Sequence, residues 1–516
     1  MKLGCFSFSS SVITYIVDLI MEKVDVKITR VSNFLYSFKL STKNGIRHVA
    51  KALTFRNPNP YAYQQTIMMY DRNKFVFKIG MFPTLVRYLK EHGVSYEVED
   101  YDFDLPEGIV IDDRMSGKYI HQANAVRAFY KRRFGIIQVP TRGGKTFIMS
   151  EILRIFLASD EGNFMFCVDS TDLFTQAVGD IKRFFERYGG VEVGEIRAGH
   201  VDTSCRVTVA MLQTIPSTLS ERCGDKDKKK KLKNFMKGLK FLSVDEIHDN
   251  ASDSRLKLYK SCKNIDYLLL LSATPYKSET PMQNLKLQQW SGDIVYRITE
   301  EELRKRQVLS DYKVFLFAVN HNEIDYKLED DDYRSLRDTL IFNSDVRNST
   351  LVNVIRVLEK LKLKTLVLFQ SIEHGETISA RVGHPFISGK TKNKERERRK
   401  NEFLSQPKGG VLLASDIFKK GITLPECEVI IIVDEGLEVS SVIQKKGRTL
   451  GVTETKTKSL VVDFIDIYDV YFSEHSESRL ETYVNEIGEK NVGILDVTSD
   501  DCMFTFKEWC KKWFDI

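Results

Sequence analysis

The sequence predicts an α/β protein in which two consecutive domains, each built on a parallel sheet, follow a small α+β module. Three observations support this prediction. The length of 516 residues suits about three domains at roughly 150 residues each. The apolar fraction of 42% is that of ordinary globular proteins. Two long stretches alternate short apolar runs with helix-like segments, which is the pattern of parallel strands joined by crossover helices.

The α+β module is expected to cover residues 21–105. Alternation of apolar and polar residues predicts strands at 24–31, 34–40, 75–79 and 96–98 and a helix at 83–92. Residues 1–20 lean apolar, but serines and Asp18 interrupt them and no small-residue cleavage site follows. They fit neither a signal peptide nor a membrane span, so we expect a loosely held extension.

The two α/β domains are expected at residues 106–308 and 309–475. Apolar runs typical of buried strands lie at 136–139, 165–168, 207–210, 242–244 and 268–271 in the first domain. In the second domain they lie at 314–318, 365–369, 410–414, 429–433 and 459–463. This repetition predicts a duplicated architecture. Residues 476–516 are expected to form a C-terminal helical tail whose aromatic residues dock on the body rather than on a partner.

Charge and cysteine content narrow the function classes. Lys and Arg exceed Asp and Glu by 77 − 71 = 6, so a nucleic-acid surface would be a local groove. The eight cysteines have no Cys-x-x-Cys spacing, which indicates neither a zinc site nor a disulfide framework. A lysine run at 228–231 lies in an insertion, 225–240. We expect a solvated loop there, with contact to a phosphate backbone as the alternative.

A glycine-rich block predicts a phosphate-binding loop. Val139-Pro140-Thr141-Arg142-Gly143-Gly144-Lys145-Thr146 follows an apolar run and precedes a helix-like stretch at 147–157. In such a strand–loop–helix unit, backbone N–H groups and the positive helix end face an anion. A second Gly-Lys-Thr string, at 389–391, leads into a charged run without a matching acidic strand end. We interpret that second string as a turn before a solvated helix.

An acidic block later in the same domain predicts metal and water chemistry. Asp245-Glu246-Ile247-His248 follows the apolar run 241–244. One carboxylate at a strand end can hold Mg²⁺, and its neighbour can position and deprotonate a water. Either block alone is weak evidence, but the two blocks in this order predict a nucleoside-triphosphate hydrolase.

The ordered blocks between residues 115 and 470 resemble those of a superfamily 2 helicase of the DExH kind. Nine blocks stand in the order that the family has. The block similar to the adenine-reading glutamine lies at 119–122, and those similar to motifs I, Ia, Ib, II and III lie at 139–146, 168–176, 209–214, 245–248 and 272–274. The blocks similar to motifs IV, V and VI lie at 367–371, 414–425 and 444–448. Within the superfamily the chain is most similar to the phage UvsW-type recombination helicases, on the segments 53–58, 374–375, 388–389 and 461–466.

The resemblance implies two tandem RecA-like motor domains, with ATP and Mg²⁺ as cofactors. It implies an ATP-dependent DNA helicase that remodels branched DNA, by fork regression, junction migration and unwinding, in recombination, repair or replication. Two alternatives stay open: a duplex translocase that does not separate strands, and a binding protein whose affinity ATP gates. The implied partner is single-stranded, double-stranded or branched DNA. No membrane partner is expected, and the expected location is the cytoplasm, that of the host cell if a phage encodes the protein. The oligomeric state stays open, with a monomer favoured.

The resemblance also implies roles for single residues. The implied catalytic set is Lys145, Asp245, Glu246, His248, Gln444 and Arg448. The implied nucleotide-binding set is Gln122, Thr141, Arg142, Gly143, Gly144, Lys145, Thr146, Asp416 and Gly421, with Thr146 and Asp245 holding Mg²⁺, Asp245 through water. The implied nucleic-acid set is Thr171, Thr214, Ser371, Thr423, Arg56 and Lys74. Each hydroxyl residue of that set is, taken singly, more simply a helix cap. The cations of the N-terminal module are equally well explained by packing on the first motor domain.

The chain departs from the family pattern in motifs I and VI. In motif I the usual Ala-Pro-Thr-Gly-Ser-Gly-Lys-Thr has become Val-Pro-Thr-Arg-Gly-Gly-Lys-Thr. In motif VI, Gly451 stands where the family has its transition-state arginine. We therefore expect Arg448 to carry most of the charge compensation, with Lys445 and Lys446 close by.

Overall fold

The structure is a computed structural model that describes residues 24–32, 35–57, 65–100, 103–220, 223–247, 258–259, 261–262, 264–276, 281–323, 333–406, 408–415, 424, 426–433, 451–453, 456–468 and 470–516. Three main sheets of five, eight and seven strands follow one another along the chain. The expected extension at 1–20 lies outside the described residues.

The first sheet belongs to the N-terminal module. Its strand order is β5-β6-β2-β1-β7, and β3 and β4 form a separate hairpin. The strands are β1 Val26–Ser32, β2 Leu35–Leu40, β3 Thr54–Arg56, β4 Thr66–Met68, β5 Tyr70–Asp71, β6 Val76–Lys78 and β7 Tyr96–Glu99. Helices α1 (Lys43–Ala52) and α2 (Phe82–Glu91) accompany this sheet. The strands and the second helix that were expected from alternation are present, whereas α1 was not anticipated.

The second sheet forms the first α/β domain, with strand order β11-β10-β12-β9-β13-β14-β8-β15. Its strands are β8 Phe134–Gln138, β9 Asn163–Val168, β10 Val193–Arg197, β11 His200–Val201, β12 Val207–Met211, β13 Leu239–Asp245, β14 Tyr267–Ser272 and β15 Ile294–Arg297. Its helices are α3 Ile120–Arg132, α4 Lys145–Ser159, α5 Thr171–Phe185, α6 Thr214–Leu219, α7 Lys226–Lys237, α8 Pro281–Ser291 and α9 Glu300–Lys305. The pairings are parallel except between β10 and β11.

The third sheet forms the second α/β domain, with strand order β18-β19-β17-β20-β21-β16-β22 and only parallel pairings. Its strands are β16 Asp311–Asn320, β17 Thr365–Phe369, β18 Phe386–Ile387, β19 Val411–Ser415, β20 Val429–Ile432, β21 Lys458–Ile467 and β22 Val492–Asp496. Its helices are α10 Tyr333–Arg337, α11 Asp345–Lys360, α12 Ile372–Val382, α13 Asn393–Ser405, α14 Val470–Ile487 and α15 Cys502–Phe514.

Burial explains why the central strands read as continuous apolar runs. Residues 267–272 of β14 and 365–369 of β17 are buried throughout, because helices cover both faces of a parallel sheet. The strand order places β14 between β13 and β8. The glycine-rich loop after β8, the acidic pair at the end of β13 and Ser272 at the end of β14 therefore share one edge of the sheet.

The N-terminal module packs against helix α8 of the first α/β domain. The Lys78 ammonium lies 3.7 Å from the centre of the Trp290 ring and donates a hydrogen bond to the Gln289 side chain at 3.1 Å. Leu285 packs against the apolar core of the module. A packing role for the module is therefore present, and a DNA-binding role stays a proposal.

Two expectations about segments need correction. The insertion at 225–240 is not a loop: α7 starts at the Asp225 cap, which accepts from the Lys228 N–H, and it buries Leu232, Phe235 and Met236. The apolar residues of this segment recur at helical spacing, and the lysine run masks that pattern. The tail is not purely helical, because α14 crosses the expected boundary at 475 and β22 joins the second α/β sheet.

The aromatic helix α15 docks on the second α/β domain, as the sequence predicts. Phe506 and Trp509 lie edge-on to Phe315, with ring centres 4.8 and 5.0 Å apart. The Trp513 indole donates to the Ser459 carbonyl at 2.9 Å. Across the described part of the chain, the helices fall short of the length and apolarity needed to cross a bilayer.

Candidate active site and nucleic-acid interface

The phosphate loop joins β8 to α4 as the sequence predicts. Gly144 caps α4 with φ of 92°, and it has no side chain to occupy the first N–H groups of the helix. A Cβ on Gly144 would lie 2.2 Å from Nε2 of Gln122, so glycine is required by both conformation and space. The open helix end and the loop N–H groups form a suitable cradle for a polyphosphate.

Two side chains from the start of α3 support this loop from behind. The Gln122 amide lies 3.5 Å from the Gly143 carbonyl, and His121 Nε2 lies 2.8 Å from the same oxygen. His121 is fully buried, and burial lowers the pKa of its ring below the ordinary value. A neutral ring that donates through Nε2 fits this contact. Sequence analysis missed His121, although it adjoins Gln122 in the same block.

The loop lysine faces the acidic pair across the edge of the sheet. Lys145 Nζ lies 3.3 Å from Glu246 Oε1, and both side chains are mostly buried. Burial alone would lower the pKa of Lys145, but the Glu246 and Asp245 carboxylates raise it above its ordinary value. The Lys145 side chain is therefore protonated at neutral pH, as phosphate binding requires.

Backbone geometry holds the acidic pair in place. Glu246 has φ of 49°, in the left-handed region that non-glycine residues seldom adopt, and its N–H donates to Asp245 Oδ1 at 3.0 Å. Such conformations cost about 1–3 kcal/mol and persist at sites where the surroundings enforce them. In this conformation the Glu246 side chain lies against the Lys145 ammonium.

Ser272 connects the acidic pair to the neighbouring strand end. Its hydroxyl lies 3.5 Å from Glu246 Oε2 and accepts from the Thr274 N–H at 3.1 Å. The motif III segment is thus in direct contact with the side chain expected to activate water. A shift of this segment can reach Glu246 through one hydrogen bond.

The donors expected for Mg²⁺ suit that ion. Thr146 lies in the first turn of α4, and Asp245 ends β13 on the same edge of the sheet. A hydroxyl and a carboxylate are hard oxygen ligands, which Mg²⁺ combines with water and phosphate oxygens rather than with a cage of protein ligands. Within the described ranges no group of three or more His, Cys, Asp or Glu side chains is placed to hold a metal.

Other expected site residues lie in the second α/β domain and at the end of the acidic block. His248, Asp416, Gly421, Thr423, Gln444 and Arg448 lie outside the described residues, as do Lys445 and Lys446. Gly451 is described, and it pairs with Leu309 in an isolated antiparallel bridge. The Arg142 side chain, from the phosphate loop, reaches Gly451 across the two domains.

Three hydroxyl residues proposed to contact nucleic acid stand at equivalent places in the fold. Thr171, Thr214 and Ser371 each follow a parallel strand and lie at the start of a helix. Ser371 is the cap of α12 and accepts from the His374 N–H, whereas Ser170 rather than Thr171 caps α5. Thr171 is exposed and therefore available to a ligand.

A polar groove lies beside Ser371. It encloses about 420 Å³, and its lining combines two arginines and two acidic residues with neutral side chains: Arg334, Arg337, Asp338, Glu373, Phe342, Gln370, Ser371 and Thr377, among others. One wall is a π-helical turn, Asp338–Phe342, a rare element that often occurs at functional sites. The two guanidinium groups beside the Ser371 hydroxyl can contact phosphate oxygens, while Asp338 and Glu373 reduce the net charge of the groove.

The basic residues proposed for the N-terminal module are on its surface. Arg56 ends β3 and is exposed, and Lys74 is exposed in the turn before β6. Asp71 holds that turn by accepting the Asn73 and Lys74 N–H groups at 2.9 and 3.0 Å. The second Gly-Lys-Thr string forms a turn before the charged helix α13, as predicted, with the Thr391 hydroxyl accepting from the Ser388 N–H.

Two family models match the chain. Residues 117–277 match the family described as Type III restriction enzyme, res subunit, and residues 347–451 match the helicase conserved C-terminal domain. The first match contains the phosphate loop and the acidic pair, and the second contains Ser371 and Gly451.

Three relatives share about two thirds of the chain. The DNA 3'-5' translocase XPB2 of Sulfurisphaera tokodaii is 25% identical over 397 residues, 69% of this chain and 83% of that protein. The ATP-dependent DNA helicase uvsW of Enterobacteria phage T4 is 22% identical over 396 residues, 71% and 75%. The provisionally named helicase 22 of Sulfolobus islandicus filamentous virus is 21% identical over 370 residues, and the match covers 68% of this chain but only 64% of that protein.

Among solved structures, the DNA-bound Type ISP restriction-modification enzyme LlaBIII superimposes with a TM-score of 0.56. It has 13% identity, with 83% of this chain and 35% of that chain covered. This likeness concerns the fold. The two parallel sheets are tandem RecA-like domains, as the sequence predicts.

Proposed function

The chain belongs to the superfamily 2 helicases, and from this membership we propose that it hydrolyses ATP to move along DNA and to remodel branched DNA. The observation that carries the proposal is the pairing of Lys145 with Glu246 at 3.3 Å, with Asp245 adjacent, at the mouth of the phosphate loop. A phosphate-binding cation and a base for water thus occupy one cleft.

In the proposed reaction, the terminal phosphate of ATP separates this ion pair. Lys145 turns to the β- and γ-phosphates, and Glu246 is released to accept a proton from a water. The water oxygen bonds to the γ-phosphorus while the bond from that phosphorus to the bridging oxygen breaks. ADP leaves with the bridging oxygen, and the water proton goes to Glu246. Bound Mg²⁺, held by Thr146 and through water by Asp245, would neutralise phosphate charge.

Movement along DNA requires two sites that hold the same strand, one on each RecA-like domain. Thr171 and Thr214 lie on the first RecA-like domain, and Ser371 with the polar groove lies on the second. Contacts from hydroxyl groups, helix ends and guanidinium groups to phosphates carry no sequence information, which suits movement along any DNA. Opening and closing of the cleft would shift one site relative to the other, and the contact of Ser272 with Glu246 offers a link between the two events.

The branched-DNA part of the proposal rests on the N-terminal module. Arg56 and Lys74 are exposed cations on a module that packs against α8 of the first RecA-like domain through Lys78. Such a module can hold one arm of a junction while the RecA-like domains move another. The phage and viral sources of two relatives support a place of action in the cytoplasm of an infected cell, and a monomer suffices for the proposed motion.

A second candidate function is a duplex translocase that does not separate strands. The relative from Sulfurisphaera tokodaii is named a translocase, which favours this alternative. The missing arginine at Gly451 favours a third candidate, a binding protein whose affinity for DNA is gated by ATP.

One experiment separates these functions. ATP turnover is measured without DNA and with single strands, a duplex and a four-way junction, and strand release is followed in parallel. The proposal expects stimulation by DNA and strand release from the junction. Turnover stimulated by duplex without strand release would establish the translocase, and nucleotide-dependent binding without turnover would establish the gated binder. Lys145→Ala should abolish turnover with the fold intact, and wild-type turnover in that variant would show that the nucleotide site is misassigned.

A paired substitution tests the role of the module. Arg56→Ala with Lys74→Ala should weaken junction processing while single-strand-stimulated turnover stays near wild type, because both side chains are exposed and far from the phosphate loop in the chain. Lys78→Ala is the matched comparison, since Lys78 is a cation of the same module that faces α8. An equal loss of both activities in the first variant would make the module structural.

A further inference from the structure

The two departures from the family pattern are in contact with each other. Arg142 occupies the motif I position where glycine is usual, and Gly451 occupies the motif VI position where arginine is usual. A Cβ on Gly451 would lie 2.2 Å from Nη1 and 3.0 Å from Cζ of Arg142. The guanidinium of one position therefore fills the space in which the side chain of the other would begin.

The backbone of Arg142 and the space beside Gly451 both fit an exchange of the two residue types. The three described atoms nearest to a Cβ on Gly451 all belong to the Arg142 side chain. Arg142 has φ of 68°, in the left-handed region where glycine is favoured. A residue with a Cβ is strained there. The loop thus retains the conformation of the usual glycine while carrying a long cationic side chain.

The Arg142 guanidinium stands at the boundary between the two RecA-like domains as a cation. Burial lowers its pKa to about 10, so it stays protonated at neutral pH. Lys456, 4% exposed, is close enough that the Arg142 charge contributes to lowering its pKa. Burial raises the pKa of the neighbouring Cys427 thiol to about 12, so that group is neutral. Arg142 precedes Lys145 by three positions in the same loop.

Resting on the proposed ATP hydrolysis, we propose that Arg142 is the transition-state cation of this enzyme, supplied by the phosphate loop itself, with Gly451 as its seat on the second domain. Its N–H groups donate to the γ-phosphate oxygens as the bond to the bridging oxygen breaks. Arg142 forms no covalent bond and transfers no proton. The water proton goes to Glu246, and ADP takes the bridging oxygen.

This arrangement changes what domain closure does. In the usual arrangement closure delivers a charge from the second domain. Here the charge is already in the loop, and closure presses Gly451 against the guanidinium and fixes its direction. Stimulation by DNA would then act by orienting a resident arginine.

The test exchanges the two positions. Arg142→Gly should lower kcat by about a thousandfold, within the range that an arginine finger contributes, and should change the affinity for ATP by less than about fivefold. Arg142→Lys should retain part of kcat, because it keeps the charge but loses the planar fork. The double variant Arg142→Gly with Gly451→Arg restores the usual arrangement and should be at least about tenfold faster than Arg142→Gly alone. Nucleotide affinity is measured with a fluorescent ATP analogue, and turnover by phosphate release.

The controls separate this inference from the proposed function. A wild-type protein without ATP turnover would refute the function itself. If wild type hydrolyses ATP and Arg142→Gly stays within about fivefold of it, only the inference is overturned. A loss of melting temperature and ATP affinity along with kcat in Arg142→Gly would assign Arg142 to domain packing and overturn it too. A double variant no faster than Arg142→Gly, or a larger loss of kcat in Arg448→Ala than in Arg142→Gly, would also overturn it.

Discussion

Replacing Glu246 by Gln should strengthen ATP binding and slow ATP cleavage. The substitution keeps the shape of the side chain and removes the charge that lies 3.3 Å from the Lys145 ammonium. A charge-assisted hydrogen bond between mostly buried groups contributes about 1.5–3 kcal/mol net. ATP must release Lys145 from this pair before Lys145 can bind phosphate. Removing the charge should therefore tighten ATP binding by about tenfold, the effect of 1.4 kcal/mol.

Turnover should fall in the same variant because an amide cannot accept the water proton. Loss of a general base costs about 10²–10⁴-fold in rate. The assay is a calorimetric titration with ATP, together with phosphate release in the presence of DNA. Glu192→Gln, the same substitution at an exposed position, is the matched control and should behave like wild type. The reasoning fails if Glu246→Gln turns over ATP within about fivefold of wild type, or if it binds ATP as poorly as Lys145→Ala.

Two further predictions concern pH and stability. Burial lowers the pKa of Lys456 to about 7, so the folded state binds fewer protons than the unfolded state between pH 7 and 10.5, and the contribution of this group to stability rises with pH in that window. In the proposal for Arg142, bound phosphate offsets the guanidinium charge that helps to lower the pKa of Lys456. That pKa should then rise, so calorimetry at pH 8 in two buffers should show proton uptake when ATP binds, and Lys456→Met should abolish the uptake; proton release would contradict this reasoning. Trp513→Ala should lower the unfolding free energy by about 2 kcal/mol through loss of half-buried packing and of the bond to Ser459. Phe504→Ala on the same helix, at 66% exposure, should change it by less than about 0.5 kcal/mol, and equal thermal shifts in the two variants would refute the docking argument.

The central strands of both RecA-like domains could be predicted because a strand that is buried on both faces consists of consecutive apolar residues. The run 365–369 coincides with β17, and 268–271 lies inside β14. Short peripheral elements were missed where that signal is absent. β10 lies one strand in from the edge of its sheet and has two buried residues, whereas the edge strand β22 has none. Both strands need tertiary pairing to be defined. Helix α7 was missed because its lysines outnumber the three residues that face the core.

The placement of the candidate nucleotide-site residues was predictable where a motif links chain order to the edge of the sheet. The loop, Asp245, Glu246 and Ser272 meet because β13, β14 and β8 are neighbours. His121 was not identified, because a histidine at a helix start has no distinctive pattern, and only the Gly143 carbonyl at 2.8 Å reveals its role. The contact between Arg142 and Gly451 was likewise beyond the sequence, since no spacing rule joins positions in separate domains.

That contact changes what a departure from a motif means. Considered alone, Gly451 indicates a weakened enzyme, because the usual arginine is missing and a finger contributes about 10³–10⁵ in rate. Considered alone, Arg142 indicates a strained loop, because a residue with a Cβ adopts φ of 68°. Together they form one complementary pair, in which the space left by the glycine is the space that the arginine requires. Judged separately, the two departures would argue for a binding protein gated by ATP. Judged as a pair, they argue for an active hydrolase whose transition-state cation comes from the phosphate loop. Motifs I and VI, which face each other across the cleft, should therefore be compared with the family together rather than one at a time.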